Sequence, residues 1–198
     1  MDSGIDTIIE KALRESLSLK EAFVRQNADK LIGLAETISR AFLNGSKLML
    51  CGNGGSAADA QHIAAEFVNR FQKERAPLPA LALTTDTSII TSVANDEGYE
   101  YVFSKQIRAL GKKGDILLAI STSGTSANIL SAIRTAREGE IYTVGLTGGD
   151  GGKMVPLVDL PLIVESHSTP RIQEVHILAG HIICELVEHI LFKDDRAP

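Results

Sequence analysis

Residues Leu48–Glu66 read LMLCGNGGSAADAQHIAAE: an apolar run, a glycine-rich loop and an alanine-rich segment. The run Leu48–Cys51 is short and apolar, as is typical of a buried strand. The glycines of Gly52–Ser56 permit a tight turn and a close approach of the backbone to a ligand. The alanine-rich residues predict a helix with Ser56 as its N-terminal cap. The free N–H groups at the start of such a helix suit an anionic or polyhydroxylated ligand.

Length and composition favour one globular domain. The chain has 198 residues, 44% of them hydrophobic and 23% charged, with a net charge of −5, which argues against a nucleic-acid-binding surface. Cys51 and Cys184 are interpreted as small buried hydrophobes rather than as a disulfide framework. The acidic N-terminus lacks the features of a signal peptide, and no apolar run is long enough to span a membrane. We therefore expect a cytoplasmic protein with no membrane partner.

Strands and helices alternate along the rest of the chain, which predicts an α/β fold with a parallel sheet covered on both faces. Pro161 suits a strand at the edge of that sheet. Helices are predicted from the Asp86 cap to about Ala94, and over 99–110, 127–138 and 170–192. The five predicted strands are Leu48–Cys51, Ala80–Thr84, Asp115–Ile120, Ile141–Leu146 and Leu160–Val164.

The segment before the first strand carries no evident chemistry. Residues Ile5 to Asn44 are interpreted as two helices, the second with an apolar stripe that includes Leu31 and Ile38. We expect residues 1–45 to pack in an oligomer and 46–198 to form the α/β core of a single domain.

A second loop, Ser121–Ser126, follows the third predicted strand and reads STSGTS. Its hydroxyls and the N-terminus of the next helix suit a phosphate, although a simple capping turn is the alternative. The loop has no lysine and does not match the P-loop pattern, so nucleotide hydrolysis is not indicated. Ligands of parallel sheets bind at the carboxyl ends of strands, so both loops are expected at one pocket.

Gly52–Ala57 also fits the dinucleotide fingerprint G-x-G-x-x-A. That motif expects an acidic residue at the end of the second strand, about 20 residues on. Here the second strand ends in Thr84-Thr85, and Asp86 lies farther along. The spacing therefore disfavours a nicotinamide cofactor.

A histidine and a carboxylate follow the glycine loop. His62 and Glu66 are at i and i+4, on one face of the predicted helix. Gln173 and His181 are eight residues apart on the last helix, about 12 Å, near the limit for sharing one ion. Either Gln173 lies at a frayed helix start or the ligands come from different subunits. The other histidines, His167, His176 and His189, are interpreted as surface or packing residues.

The motifs taken together resemble the phosphoheptose isomerase family, also called sedoheptulose 7-phosphate isomerase, which has the sugar isomerase (SIS) domain fold. The resemblance covers nearly the whole chain. It rests on the motifs Cys51–Ser56, His62 with Glu66, Asn95-Asp96, Ile120–Asn128, Leu146–Gly148, Asp150–Lys153 and Arg171–His176.

The resemblance implies a flavodoxin-like, three-layer αβα fold with a five-stranded parallel sheet, in a cytoplasmic homotetramer with its sites at subunit interfaces. It also implies conversion of sedoheptulose 7-phosphate to D-glycero-D-manno-heptose 7-phosphate. This reaction is the first step towards ADP- or GDP-activated heptose, which in many bacteria enters lipopolysaccharide.

Carried over by position, the resemblance implies one zinc ion per subunit, and N/O ligands of this kind are compatible with zinc. Glu66 is the expected carbon base and His181 its acid/base partner across the substrate. The family often has an acidic residue where this chain has Pro170. The expected zinc ligands are His62, Glu66, Gln173 and His181. The expected substrate contacts are Asn53, Gly54, Gly55, Glu66, Asn95, Asp96, Ser121, Thr122, Ser123, Ser126 and Gln173.

A non-catalytic function is the alternative, since SIS domains also serve as sugar-phosphate sensors and a close relative binds the bacterial replication initiator. The complete set of His62, Glu66, Gln173 and His181 favours the enzyme. The wide Gln173–His181 spacing also predicts a pocket that draws residues from at least two subunits.

Overall fold

The structure, a computed structural model, describes residues 3–192, so the predicted domain ends at residues 1 and 198 lie outside it. Five parallel strands form one sheet in the order β2-β1-β3-β4-β5, which confirms the predicted α/β class. β5 lies at an edge, as Pro161 predicts. The strands are β1 (Leu48–Gly52), β2 (Ala80–Ala82), β3 (Ile116–Ser121), β4 (Tyr142–Gly148) and β5 (Leu160–Val164).

Helices cover both faces of the sheet because successive strand residues point to opposite sides. Leu50 and Leu118 face a core shared with helices α1, α2 and α6, whereas Met49 and Leu117 face a core shared with α4 and α5. The helices are α1 (Ser3–Leu43), α2 (Gly55–Val68), α3 (Thr87–Asp96), α4 (Ser104–Leu110), α5 (Ala127–Glu138) and α6 (Thr169–Leu191), with 3₁₀ turns at Tyr99–Tyr101 and Val155–Leu157.

The N-terminal segment is one helix of 41 residues, so the prediction of two helices was wrong. No proline interrupts the segment, and its middle is rich in good helix formers. The C-terminal half of α1 buries Phe23, Leu31, Leu34 and Ile38 in the core of its own chain. This half therefore shares one core with β1, α2 and α6 of the same chain.

Three local predictions need correction. Ser56 is not the cap of α2, because the helix begins at Gly55 with Gly54 as its N-cap residue, and Ser56 is buried. The strand β2 ends at Ala82 rather than at Thr84. The helix predicted over 99–110 is a 3₁₀ turn followed by the shorter α4. The Asp86 cap is confirmed, since its carboxylate accepts the Ile89 N–H at 2.9 Å.

Both cysteines are free and buried, as predicted. Burial raises the pKa of the Cys51 thiol to about 12, so this thiol is not a nucleophile near neutral pH. None of the helices within residues 3–192 has the length and apolar character needed to cross a membrane.

Candidate active site

A cavity of about 310 Å³ lies where the loops after β1 and β3 meet. Strand order reverses between β1 and β3, and such a switch point is the usual ligand site of an open parallel sheet. Ser56, a member of the first predicted loop, also lines the cavity, as do Ile120 and Thr169, which were not among the predicted substrate contacts. The predicted substrate contacts that line the cavity are Asn53, Gly54, Gly55, Ser121, Thr122, Ser126 and Gln173.

The glycines of the first loop allow close approaches. A Cβ on Gly52 would overlap the backbone carbonyl of Ser56, and a Cβ on Gly55 would overlap the Gln173 side chain. Gly54 has a φ of 55°, a conformation that L side chains rarely adopt. The loop can therefore turn tightly into α2 and leave room for Gln173 over its backbone.

Asn53 is held from two sides. Its amide exchanges two hydrogen bonds with Asn128, Asn53 Nδ2 donating at 2.9 Å and Asn128 Nδ2 donating at 2.8 Å. The Tyr99 hydroxyl donates to Asn53 Oδ1 at 3.3 Å. Asn128 lies in the predicted motif Ile120–Asn128, but its contact with Asn53 was not predictable from local pattern because the two residues are 75 positions apart.

The second loop presents hydroxyls at the start of α5. Ser121 Oγ and Ser126 Oγ are 3.1 Å apart, and Ser126, the N-cap residue, makes no side-chain capping bond. The first N–H groups of α5 therefore receive no capping hydrogen bond from the Ser126 side chain. They lie at the end of the helix that borders the cavity. Hydroxyls together with a helix N-terminus form a favourable phosphate site. Ser123 lies in a neighbouring cavity with Asp150 and His167.

His62, Glu66 and His181 are brought together by α2 and α6. His62 Nε2 lies 3.0 Å from Glu66 Oε1 and 3.4 Å from His181 Nε2. The two imidazole rings meet edge to face, with centroids 5.0 Å apart. One chain thus supplies a carboxylate and two imidazoles, with His62 in contact with each of the other two. The side chains of His62 and Glu66 are 47% and 24% exposed. Such a group can take up, hold and pass on protons.

Asp59, one turn before His62 on α2, is a carboxylate that was not among the predicted site residues. Its Oδ2 atom is buried and has no hydrogen-bond partner. Burial raises the pKa of Asp59, and the nearby His62 opposes that rise. The His62 face of α2 therefore carries two carboxylates in different environments.

Gln173 stands apart from the other predicted zinc ligands. It lies against Gly55, inside α6 rather than at a frayed start, since the helix begins at Thr169. The nitrogen and oxygen donors of His62, Glu66 and His181 suit zinc. Within residues 3–192, however, no group of three or more His, Cys, Asp or Glu side chains is arranged to hold a metal ion.

Asn95 and Asp96 do not line the cavity. They are exposed at the C-terminal end of α3, where Asn95 Nδ2 donates to Asp96 Oδ1 at 2.8 Å.

His176 is fully buried and contacts the Thr147 carbonyl through Nε2 at 3.2 Å, so its interpretation as a packing residue agrees with the structure. His189 is exposed.

The chain is similar to known proteins both in sequence and in fold. Residues 13–148 match the family model of the SIS domain. A phosphoheptose isomerase of Roseiflexus sp. (strain RS-1) is 54% identical over 182 residues, which cover 92% of this chain and 92% of that protein.

Two solved structures are also similar. The phosphoheptose isomerase of Neisseria gonorrhoeae has a TM-score of 0.88 and 42% identity, covering 93% of this chain and 98% of its own. A phosphoheptose isomerase of Francisella tularensis has a TM-score of 0.90 and 38% identity, covering 94% and 99%.

Proposed function

Because the chain belongs to the phosphoheptose isomerase family of SIS-domain proteins, we propose that it converts sedoheptulose 7-phosphate to D-glycero-D-manno-heptose 7-phosphate. This reaction is an aldose–ketose isomerisation and the first step towards activated heptose. The observation that carries the proposal is the contact of His62 with both Glu66 and His181, on helices that also border the hydroxyl-lined cavity. No feature of the described residues favours the non-catalytic alternative.

The distance between the cavity and the cluster of His62, Glu66 and His181 suits a long substrate. Gly55 at the cavity and His62 at the contact cluster are both on α2, seven residues or about 10 Å apart. Eight bonds join the phosphorus of a heptose 7-phosphate to C1, and at about 1.2 Å per bond an extended chain spans roughly 10 Å. A phosphate bound in the cavity beside Gly55 would let the far end of a seven-carbon chain reach towards His62 and Glu66, whereas a three-carbon sugar phosphate would fall short.

The isomerisation moves one proton between C1 and C2 through an enediol. Glu66 is proposed to take the proton from C1 of the ketose and to return it to C2. His181 is proposed to exchange a proton with the two oxygens, so that neither develops a full charge. His62, in contact with both, holds their relative positions.

Zinc is proposed as the resident metal, one ion per subunit, with His62, Glu66 and His181 as ligands and Gln173 as the fourth. The donor types support the proposal, and Gln173 would have to leave its contact with Gly55 to join them. When bound, the ion would supply Lewis-acid stabilisation of the enediolate. Metal content of the purified protein, measured before and after dialysis against a chelator, tests this assignment.

Assembly as a homotetramer with interfacial sites is also proposed. Ile5, Ile8, Ile9, Leu13 and Leu17 in the first half of α1 are 57–69% exposed, and such an apolar surface favours a partner. If a second subunit completed the pocket, the exposed residues Asn95 and Asp96 could contact the substrate there. A fully active monomer by sedimentation would contradict the assembly.

A cytoplasmic location is proposed too, and the two free thiols support it.

A coupled assay on five-, six- and seven-carbon sugar phosphates, with and without chelator, tests the function. The expected result is turnover of sedoheptulose 7-phosphate well above the shorter substrates. No turnover of the seven-carbon substrate with zinc supplied would refute the proposal, and binding to a replication initiator would then support the alternative.

The acid/base assignment has its own test. Glu66→Gln keeps the shape of the side chain but removes the base, so kcat is expected to fall by about 10²–10⁴-fold while the fold remains. Glu185→Gln, at an exposed position of α6, is the matched control and should retain activity. Normal kcat in Glu66→Gln would remove Glu66 as the base.

A further inference from the structure

A buried ion pair joins the loop after α2 to α6 and contacts the backbone of Glu66. Arg75, in the loop after α2, donates from Nε to Glu188 Oε1 on α6 at 2.8 Å. The two side chains are only 1% and 2% exposed. Burying two charges costs free energy that the pair must recover through hydrogen bonds, so the further contacts of these groups show what the pair holds in place.

The guanidinium of Arg75 caps the end of α2. Nη2 donates to the Glu66 carbonyl at 2.8 Å, and Nη1 donates to the Phe67 carbonyl at 2.8 Å. The last carbonyls of a helix have no partner within the helix, and α2 ends at Val68. Arg75 therefore fixes the backbone of Glu66 in a turn that would otherwise fray, and its charge is favourable at a helix C-terminus.

The carboxylate of Glu188 holds the chain on the other side. It accepts the N–H groups of Phe71, Gln72 and Lys73 at 2.9–3.0 Å. The Phe71 ring in turn lies against His181, with ring centroids 5.5 Å apart and a tilt of 32°. One ion pair thus fixes the backbone of the proposed base and the aromatic ring that supports its partner.

From these contacts we propose that Arg75 and Glu188 are positioning residues for the isomerase reaction, holding Glu66 and His181 in register. The inference rests on the proposed function. Within residues 3–192, neither Arg75 nor Glu188 lines the cavity, so loss of the pair should lower kcat and leave the KM for the sugar phosphate unchanged. Displacing a catalytic group by about 1 Å can cost 10²-fold in rate, and a fall in kcat of about 10–100-fold is expected.

The decisive variant is the double substitution Arg75→Met with Glu188→Met. Either single substitution by methionine leaves one buried charge unpaired and can prevent folding, whereas the double substitution removes both charges, although the backbone groups that the pair binds also lose their partners. Arg75→Lys, which keeps a positive charge and a donor, is measured in the same way if the double variant does not fold. Asp115→Asn is the control: Asp115 is buried, accepts the backbone N–H groups of Lys47 and Lys112 and lies directly before β3, at the amino-terminal end of the strands. The control should lose stability with unchanged kcat.

Steady-state kinetics and the NMR signals of the His181 ring are measured on the wild type, the double variant and the control. A folded double variant with lowered kcat, unchanged KM and shifted His181 signals supports the inference. Full kcat with unshifted signals in the folded double variant overturns it while the proposed function stands. If the wild type does not turn over any sugar phosphate, the proposed function fails, and the His181 signals alone then decide whether the pair positions the ring.

Discussion

His62 and His181 contact each other through their Nε2 atoms at 3.4 Å, although 119 residues separate them in the sequence. His62 also contacts Glu66 at 3.0 Å in the same chain. The carboxylate and both imidazoles are therefore brought together within one chain, and the His62–His181 contact does not depend on the Gln173–His181 spacing.

This contact predicts the result of a subunit-mixing experiment. Inactive Glu66→Gln and inactive His181→Gln subunits, unfolded together and refolded, should regain no activity, because every site would lack one of the two groups. Mixing each variant with wild type is the control that subunits exchange. Partial recovery in the mixture of the two variants would place Glu66 and His181 of different chains in one site.

Gly55→Ala tests the contact between the glycine loop and α6. The new Cβ would overlap the end of the Gln173 side chain, which can move, so the protein should fold while catalytic efficiency falls about 10-fold. Gly33→Ala is the control, since nothing lies within 4 Å of a Cβ there. That substitution in the interior of α1 should raise the free energy of unfolding by about 0.5–1 kcal/mol and leave the kinetics unchanged. Equal activity of Gly55→Ala and wild type would contradict the proposed role of Gln173.

Ser126→Ala tests the phosphate site. Ser126 lies at the N-terminus of α5, 3.1 Å from the Ser121 hydroxyl, and a hydrogen bond to a charged group contributes roughly 1.5 kcal/mol or more. The KM for sedoheptulose 7-phosphate should rise about 10-fold with a smaller change in kcat. Any slow turnover of unphosphorylated sedoheptulose provides the internal control and should not change. An unaltered KM would show that the phosphate binds elsewhere.

His176 predicts a pH dependence of stability. Burial lowers its pKa from 6.5 to about 4, although its contact with the Thr147 carbonyl opposes the shift. Between pH 6.5 and 4 the unfolded chain therefore binds a proton that the folded chain does not, and stability falls as the pH falls through this window. The loss amounts to about 3 kcal/mol.

The measurement is chemical unfolding at pH values from 4 to 7. His176→Gln keeps a donor towards the Thr147 carbonyl but does not titrate, so the difference from wild type should shrink as the pH falls. His189→Gln, at an exposed position of the same helix, should follow the wild type. Parallel curves for wild type and His176→Gln would contradict the buried neutral imidazole.

The sequence by itself determined the positions of the five strands along the chain, the two predicted ligand loops and most of the cavity lining. These features follow from local physics: apolar runs of strand length, glycines that permit tight turns, and hydroxyls after a strand. The local pattern predicted the ends of helices less well, since nothing in the sequence of Ile5–Asn44 distinguishes two helices from one continuous helix.

Only the tertiary structure decided which distant residues meet. The pairings His62 with His181, Asn53 with Asn128 and Arg75 with Glu188 join residues 75 to 119 positions apart. Periodicity places a residue on a helix face but does not say which face of another helix it meets. That choice depends on how α2 and α6 pack on the sheet, and packing is a property of the whole folded core rather than of any one stretch of sequence.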